Sequence, residues 1–175
     1  MRDALELETR RRIYAHVSRF PGTYLRELQR ALGLQPGQLE YHLDVLVKAG
    51  LLSAQEEGGR RRYFVAAEIS HPDKAVIGLL RQRAVRRILL EILVRPGARF
   101  QEILAAVGGA KSTLSFHLRK VTDTGLVLAE RAGRERAYRV ADEERVAQLL
   151  ITHRASFLDE AVDRFAEVWL GLGER

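Results

Sequence analysis

A chain of 175 residues that is 46% hydrophobic and 30% charged has room for one large or two small domains and is typical of a globular protein. It has no apolar run of about 18 residues and no hydrophobic signal core at its N-terminus, so we expect no membrane association and a cytoplasmic location. Cysteine is absent, which excludes disulfides and thiolate metal sites.

The net charge of +6 is unevenly distributed along the chain. Residues 1–71 carry 11 basic and 9 acidic side chains (+2), residues 72–141 carry 14 and 6 (+8), and residues 142–175 carry 4 and 8 (−4). A strongly basic middle segment favours a polyanionic partner. The alternative interpretation is an arginine-rich surface that is simply solvated.

The sequence contains an internal repeat. Residues 11–66 align without a gap with residues 86–141, and 19 of the 56 aligned positions are identical. Identical pairs include Pro21-Gly22 with Pro96-Gly97, and His42-Leu43 with His117-Leu118. Such periodicity predicts two copies of one folding unit.

Each repeat has the same predicted order of elements: helix, helix, tight glycine turn, helix and β-hairpin. Helical spacing of apolar residues, ended by glycine or proline, sets the helices, and short apolar runs around a charged, glycine-containing tip set the hairpins. In the first repeat we predict helices at 11–20, 24–32 and 36–49, and strands at 51–55 and 62–66. In the second we predict helices at 86–94, 100–107 and 111–124, and strands at 126–131 and 137–141.

Two helices joined by a short glycine turn form a helix-turn-helix, and a hairpin after the last helix makes it winged. The predicted fold class is therefore mostly α with small β-hairpin wings: two tandem winged helix-turn-helix domains plus a long C-terminal helix. The predicted domains are residues 1–69, residues 70–141 including a connector, and residues 142–175 for the C-terminal helix, which serves in packing or dimerisation.

The tail from Asp142 to Leu170 contains neither proline nor glycine, and its apolar residues recur every three or four positions. If unbroken, it forms a helix of about 29 residues and about 44 Å. Such a helix is longer than one small module, so part of its apolar stripe needs a partner. We expect a homodimer through this helix, with the N-terminal segment or the groove between the repeats as alternatives.

The segment from Leu39 through His42-Leu43 to Gly50-Leu51, and its counterpart from Leu114 through His117-Leu118 to Gly125-Leu126, resemble the recognition helix and first wing strand of ArsR/MarR-type winged helix-turn-helix regulators. Tandem copies with a helical tail are similar to transcription regulators common in archaea. The resemblance covers residues 10–141. It implies that the third helix of a repeat enters the DNA major groove.

The second repeat carries most of the predicted DNA-binding residues. With Leu114, Leu118 and Val121 turned to the core, the polar and basic residues of its third helix face outward, where they can meet phosphates and base edges. Phe116 either contacts a thymine methyl or packs on a neighbouring helix. The predicted set is Lys111, Ser112, Thr113, Ser115, Phe116, Arg119 and Lys120 on the helix and Arg131, Arg134 and Arg136 on the wing.

The first repeat departs from this pattern. Its outward positions include Glu40 and Asp44, and phosphates repel negative charge. It therefore adds specificity, contacts DNA only through its wing, or binds protein instead. Its predicted DNA-binding residues are Gln38, Tyr41, Arg60, Arg61 and Arg62.

The leading functional prediction is a transcription regulator that binds double-stranded DNA, so we expect its cytoplasmic location to be nucleoid-associated. The alternatives are a tandem winged-helix adaptor that binds protein and a nonspecific, chromatin-type DNA binder. No phosphate loop, catalytic triad or paired carboxylates are recognisable, so we do not expect an enzyme or a cofactor. The five histidines lack the spacing of metal ligands, and a small-molecule effector is possible without being indicated. The sequence leaves the operator and the sign of regulation open.

Overall fold

The computed structural model of the chain describes residues 3–173 and divides them into two units. Unit 1 ends at Gly78 and unit 2 begins at Leu79. This boundary falls within a helix and lies later in the chain than the predicted end of the first domain at residue 69.

Unit 1 consists of three helices, a three-stranded sheet and most of a fourth helix. A short 3₁₀ helix, Asp3–Leu5, precedes them. The helices are α1 (Glu8–Arg19), α2 (Leu25–Leu32), α3 (Pro36–Lys48) and α4 (His71–Leu80), and the strands are β1 (Thr23–Tyr24), β2 (Leu52–Glu57) and β3 (Arg60–Val65).

Local chemistry explains the ends of α2 and α3. Glu27, in the first turn of α2, accepts a hydrogen bond from the backbone N–H of Tyr24 at 2.9 Å and one from the Thr23 hydroxyl at 3.0 Å. Gly33 ends α2 in the left-handed conformation (φ 68°), which costs glycine little. Pro36 then opens α3, where its missing N–H is no loss.

The sheet of unit 1 is antiparallel, in the order β1-β3-β2. Strands β2 and β3 form a hairpin, the wing of unit 1, in which Glu57 pairs with Arg60 across Gly58-Gly59. Both glycines have positive φ (57° and 73°), as the tightest hairpin turns require. The strands therefore extend further towards the tip than predicted. The arginines after the turn belong to β3, so their side chains point alternately to the two faces of the hairpin.

The core of unit 1 lies between the helices and the sheet. Its fully or nearly fully buried residues come from α1, α2, α3 and the hairpin strands; they are Ile13, Val17, Leu28, Leu39, Leu43, Leu46, Leu52, Tyr63 and Val65. Each large aliphatic side chain buried in this way stabilises the fold by about 1.5–3 kcal/mol.

Unit 2 has the same order of elements, followed by the tail. Its helices are α5 (Arg83–Val94), α6 (Phe100–Val107), α7 (Lys111–Asp123), α8 (Glu143–Thr152), α9 (Arg154–Phe157) and α10 (Glu160–Gly173), and its strands are β4 (Ala98–Arg99), β5 (Val127–Ala132) and β6 (Glu135–Val140). Its sheet has the order β4-β6-β5, and the β5–β6 hairpin is the wing of unit 2.

Residues that match in the alignment of the two repeats form equivalent backbone hydrogen bonds in the two sheets. The backbone N–H of Gly22 donates to the Tyr63 carbonyl at 2.8 Å, and that of Gly97 donates to the Tyr138 carbonyl at 2.9 Å. The strands β1 and β4, which these bonds precede, were not predicted. They are two residues long and carry no alternating pattern, and pairing with β3 and β6 is what defines them.

The prediction of one long C-terminal helix is wrong. The tail is divided at His153 and again at Leu158, which is in the left-handed conformation (φ 49°). Asp159 holds the second break: its carboxylate accepts from the backbone N–H of Ala161 at 3.1 Å and pairs with Arg86 of α5 at 2.7 Å. Because of these breaks α10 packs against α8 and α5, which buries Val162, Phe165 and Ala166 within the same unit.

Candidate nucleic-acid interface

Helix α7 of unit 2 separates core residues from an outward face. Leu114, Leu118 and Val121 are at most 3% exposed, as the helical spacing predicts. The opposite side is exposed, and Phe116 stands out because 65% of its surface is accessible. The predicted residues that share this exposed side are Lys111, Ser112, Thr113, Ser115, Phe116 and Arg119.

Lys120 lies apart from that set. It is half-buried, and its Nζ donates a hydrogen bond to Oε1 of Gln82 at 3.0 Å. Its ammonium group therefore serves within unit 2, and a phosphate contact by Lys120 requires this bond to be given up.

The wing of unit 2 exposes all three of its predicted arginines. Arg134 lies in the turn, and Arg131 donates from Nε to the carbonyl of Gly133 at 3.3 Å. Arg136 lies on β6 beside α7. All three predicted arginines of this wing are thus accessible, and Arg131 and Arg136 lie on opposite strands and face each other in the pairing register.

A groove of about 340 Å³ separates α7 from β6, and we call it the wing groove of unit 2. Its lining contains Ser115, Arg119 and Arg136, with Tyr138 buried nearby. The only carboxylate in the lining belongs to Asp123, whose Oδ2 lies 3.6 Å from Nε of Arg119. Two guanidinium groups against one carboxylate give this groove a net positive charge, and the hydroxyl groups of Ser115 and Thr122 add hydrogen-bond donors, which suits an anionic ligand.

The corresponding groove of unit 1 lies between α3, the N-terminal half of α2 and β3. It has a volume of about 820 Å³, and we call it the wing groove of unit 1. The basic residues of its lining are balanced by an equal number of carboxylates: Arg26, Arg30, Arg60 and Arg61 against Glu27, Glu40, Asp44 and Glu56. The groove is therefore neutral overall.

Arg61 is the arginine of this groove that lies closest to carboxylates. Its Nε donates to Oε1 of Glu56 at 2.9 Å, and its Nη1 lies 3.9 Å from Oδ1 of Asp44. The hydrogen bond to Glu56 is the main reason that the pKa of Arg61 is raised above its ordinary value. The bridge joins the wing of unit 1 to α3. Gln38 and Tyr41 are exposed on the outward side of α3, and Arg60 is exposed near the hairpin tip.

The prediction that Arg62 binds DNA is wrong. Arg62 is only 2% exposed, and its guanidinium forms an ion pair with Glu57 and donates to the carbonyls of Gly22 and Gly78 at 2.9 and 3.1 Å. It also stacks on Tyr24, with 4.0 Å from Cζ to the ring centroid. Because β3 begins at Arg60, the alternation of the strand places Arg61 and Arg62 on opposite sides.

The two histidines of the third helices are structural, and they differ. His42 is buried, and its Nδ1 accepts from Nε of Arg10 at 3.5 Å. Nδ1 of His117 is buried without a hydrogen-bond partner among the described residues. Burial lowers the pKa of both imidazoles, and the neighbouring Arg10 and Lys120, respectively, lower it further. Both rings are therefore held in the neutral form at neutral pH.

Sequence reasoning missed two contributors to these grooves. Tyr63 and Tyr138 are nearly buried beneath the grooves of unit 1 and unit 2, and burial raises the pKa of Tyr63. Their identity in the alignment of the two repeats was the available signal. The second omission is the pairing of Arg61 with Asp44 and Glu56, which depends on the packing of the wing beside α3 and has no signature in a local pattern.

A further groove lies within unit 2 between α5, the end of α6 and α10. Its volume is about 430 Å³, its walls are mainly apolar, and Phe165 and Trp169 lie in it with 5.4 Å between ring centroids. We call it the tail groove. Exposed apolar side chains belong to the same two helices: Val94 on α5 and Val168 and Leu170 on α10.

Comparisons with known proteins place this geometry in context. Residues 7–77 match the model of an N-terminal HTH domain family. Unit 1 is therefore similar to a helix-turn-helix domain over most of its length. The match spans α1 to α4 and includes the wing of unit 1, and it ends one residue before the boundary at Gly78.

Two curated relatives bear the name of HTH-type transcriptional regulators. The chain is 28% identical over 131 residues to the uncharacterized HTH-type transcriptional regulator MJ1398 of Methanocaldococcus jannaschii. This alignment covers 75% of this chain and 33% of that protein. The chain is 35% identical over 74 residues to the HTH-type transcriptional regulator NmtR of Mycobacterium tuberculosis, which covers 42% of this chain and 54% of that protein. The chain thus spans about a third and about half of the length of these relatives.

The crystal structure of the DIP2311 protein from Corynebacterium diphtheriae is a weaker match. It shares 16% sequence identity, and the alignment covers 76% of this chain and 26% of that chain with a TM-score of 0.29.

Two other kinds of feature are absent from the described residues. Within residues 3–173, no group of three or more His, Asp or Glu side chains is arranged to hold a metal ion. No helix in the same range combines the length and the apolar character that crossing a bilayer demands.

Proposed function

We propose that this chain is a DNA-binding transcription regulator and that unit 2 supplies most of its contact with double-stranded DNA. The helix-turn-helix match at residues 7–77 and the names of both relatives support the general class. The repeated order of elements supports a winged helix-turn-helix in each unit, arranged in tandem along the chain.

The outward face of α7 is the observation that carries the assignment to unit 2. It combines hydroxyl groups, an exposed aromatic ring and a guanidinium group, and a groove with two arginines adjoins it. A helix of this size fits the B-DNA major groove, where Ser and Thr bond to base edges and Arg binds guanine in a bidentate manner. The wing arginines then meet the flanking phosphates. Helix α3, with Glu40 and Asp44 on its outward side, lacks this character.

Duplex binding by the full chain tests the proposal. We would compare DNA from upstream of its own gene with random DNA, at about 50 and about 200 mM salt, for the wild type and Arg119→Ala. A regulator shows a large preference for the target that survives the higher salt, and Arg119→Ala reduces it because one guanidinium contact is lost.

Other results assign the protein to another class. Equal affinity for both duplexes that vanishes at the higher salt indicates a nonspecific, chromatin-type binder. No binding at either salt removes the DNA-binding proposal and favours the protein-binding adaptor.

We further propose that the chain forms a homodimer through its tail. The apolar tail groove and the exposed Val168 and Leu170 on α10 supply an apolar patch. The exposed charges of the two helices are largely complementary: Arg83 and Arg87 are exposed on α5, and on α10 the exposed Glu160, Asp163 and Glu167 outnumber Arg164. A second copy that places its α10 against α5 brings opposite charges together.

Light scattering tests the dimer. We expect twice the 19.8 kDa of one chain for the wild type, and a single-chain mass for Val168→Glu, because a carboxylate is costly to bury in an apolar interface. Val168 is 63% exposed, so the fold tolerates the change. Leu128→Glu, at an exposed position of β5, is the control and retains the dimer. A wild-type mass of one chain removes the proposal.

A further inference from the structure

The two wing grooves are built from matching elements of the two repeats, but the charged side chains that line them differ. In the alignment of the two repeats, Tyr63 corresponds to Tyr138 and Arg61 to Arg136, so both grooves contain a buried tyrosine and a wing arginine. The residues that face these arginines do not correspond in charge. Glu40, Asp44 and Glu56 of unit 1 stand where unit 2 has Ser115, Arg119 and Arg131.

The two wing arginines consequently differ in their partners. Arg61 is bridged by Glu56 at 2.9 Å and by Asp44 at 3.9 Å. Arg136 forms no ion pair with any residue that the structure describes, and its neighbour across the groove is another arginine, Arg119. Of the two, Arg136 is therefore the arginine whose charge is available to an anionic ligand.

We infer that the wing groove of unit 1 is a second DNA-contact surface, held inactive because Asp44 and Glu56 occupy Arg61. This inference rests on the proposed function. It assigns duplex DNA as the partner of both wing grooves. The arginine of the groove is available to DNA in unit 2 and is paired with carboxylates in unit 1. The carboxylates act in two ways: they take the guanidinium that a phosphate would bind, and their own charge repels the phosphate.

The exposure of the bridge explains why it can be removed without loss of the fold. The side chains of Arg61, Asp44 and Glu56 are 58%, 60% and 64% exposed. Exposed ion pairs contribute little to stability, since water and salt screen them. Tyr63, which lines the groove, is buried in the core of unit 1 and is held there by its packing rather than by the two carboxylates. Isosteric removal of the two carboxylates thus leaves the surface in place and frees Arg61.

The experiment measures the affinity of the full chain for duplex DNA. The test variant is Asp44→Asn with Glu56→Gln, and its partner carries Arg61→Ala in addition. The control is Glu8→Gln with Glu68→Gln, which makes the same change in net charge. It also releases an exposed arginine of unit 1, since Glu8 pairs with Arg11 at 2.7 Å.

We expect the test variant to bind about 5- to 10-fold more tightly than the wild type at about 0.1 M salt, with a salt slope steeper by about one, because one phosphate contact is gained. The gain disappears when Arg61→Ala is added. The control binds like the wild type. Thermal unfolding confirms that all variants are folded.

The outcomes separate this inference from the proposed function. No gain in the test variant, a gain that persists with Arg61→Ala, or an equal gain in the control overturns the inference, while wild-type binding through unit 2 stands. If the wild type fails to bind and the test variant binds through Arg61, the assignment to unit 2 falls and the inference stands. If neither binds, both are wrong.

Discussion

Unit 1 and unit 2 use the same arginine-bearing wing in different ways. In unit 1 two of the three arginines that follow the hairpin turn form ion pairs within the unit: Arg61 pairs with Asp44 and Glu56, and Arg62 is buried with Glu57. In unit 2 Arg136 lines the groove beside Arg119, and the position of Arg62 is taken by Ala137. The comparison teaches that an arginine count alone does not identify a phosphate-binding wing.

The cores of the two units explain how such divergence is compatible with one fold. Leu39 and Leu43 are buried in α3, and Leu114 and Leu118 are buried at the matching positions of α7. These contacts and the backbone pairing of the sheets fix the elements. The outward positions are free of that constraint, so their charges can reverse without cost to the core.

The largest expected effect comes from giving unit 2 the charges of unit 1. Arg119→Asp with Arg131→Glu copies Asp44 and Glu56 into the wing groove of unit 2. Two phosphate contacts are lost and two repulsive charges are added, so we expect affinity for duplex DNA to fall at least about 100-fold at about 0.1 M salt, measured by fluorescence anisotropy. Arg12→Asp with Arg19→Glu, on the exposed side of α1, is the control. An equal loss in the control means that net charge alone governs binding.

The next largest effect concerns Arg62, the buried arginine of unit 1 whose matching position in unit 2 is Ala137. Arg62→Ala removes the ion pair with Glu57 and the hydrogen bonds to the carbonyls of Gly22 and Gly78. We therefore expect a loss of about 2 kcal/mol in the free energy of unfolding, measured by urea denaturation. Arg60→Ala, two residues earlier and exposed, changes it by less than about 0.5 kcal/mol. If both variants unfold like the wild type, Arg62 is not the structural residue described above.

A smaller effect concerns the tail, which only unit 2 possesses. Burial opposes ionisation of Asp159, but the hydrogen bonds from Arg86 and from the Ala161 amide outweigh it, so the pKa of Asp159 is lowered. The folded state then binds this proton less readily than the unfolded state. The resulting stabilisation is present above the ordinary pKa of 3.8 and is lost as the pH falls through the lower, folded-state value.

Asp159→Asn tests this linkage. We expect a loss of about 1–2 kcal/mol at neutral pH, because the charged partner of Arg86 is removed, and a weaker dependence of stability on pH below 3.8. Urea denaturation at several pH values measures both. Asp163→Asn, at an exposed position of α10, is the control and keeps the wild-type profile. An unchanged profile for Asp159→Asn contradicts the role given to the Arg86–Asp159 pair.

The smallest effect compares two exposed aromatic residues at matching positions. Phe116 is 65% exposed and Tyr41 is 60% exposed, so truncation of either costs little stability. We expect Phe116→Ala to weaken binding to target DNA about 5-fold through a lost thymine contact, and Tyr41→Ala to leave it unchanged. Equal losses would show that α3 also lies against the bases.

The repeat made much of the fold predictable. Helical spacing and glycine stops predicted α6 with its observed bounds, Phe100–Val107, and predicted both third helices to within one residue at the C-terminal end. Such patterns are local, so one sequence suffices to read them. The outward residues of α7 followed because the buried stripe of a helix fixes its opposite side.

The errors arose where distant residues decide the structure. Arg62 was predicted to start the second strand of the wing and to bind DNA with Arg60 and Arg61. The strand starts two residues earlier, at Arg60, and its alternation places Arg62 on the buried side. The break before α10 has neither glycine nor proline to signal it. It is fixed by Asp159 with Arg86, residues that are 73 positions apart and have no local signature.

The most direct test of the account compares the two wing arginines at matching positions, Arg136 and Arg61. Duplex affinity of the full chain is measured against salt for Arg136→Ala and for Arg61→Ala. We predict that Arg136→Ala weakens binding about 5- to 10-fold and lowers the salt slope by about one, whereas Arg61→Ala changes neither. Equal losses of affinity in the two variants would contradict the claim that Arg136 of unit 2 contacts DNA while Arg61 of unit 1 is held by Asp44 and Glu56.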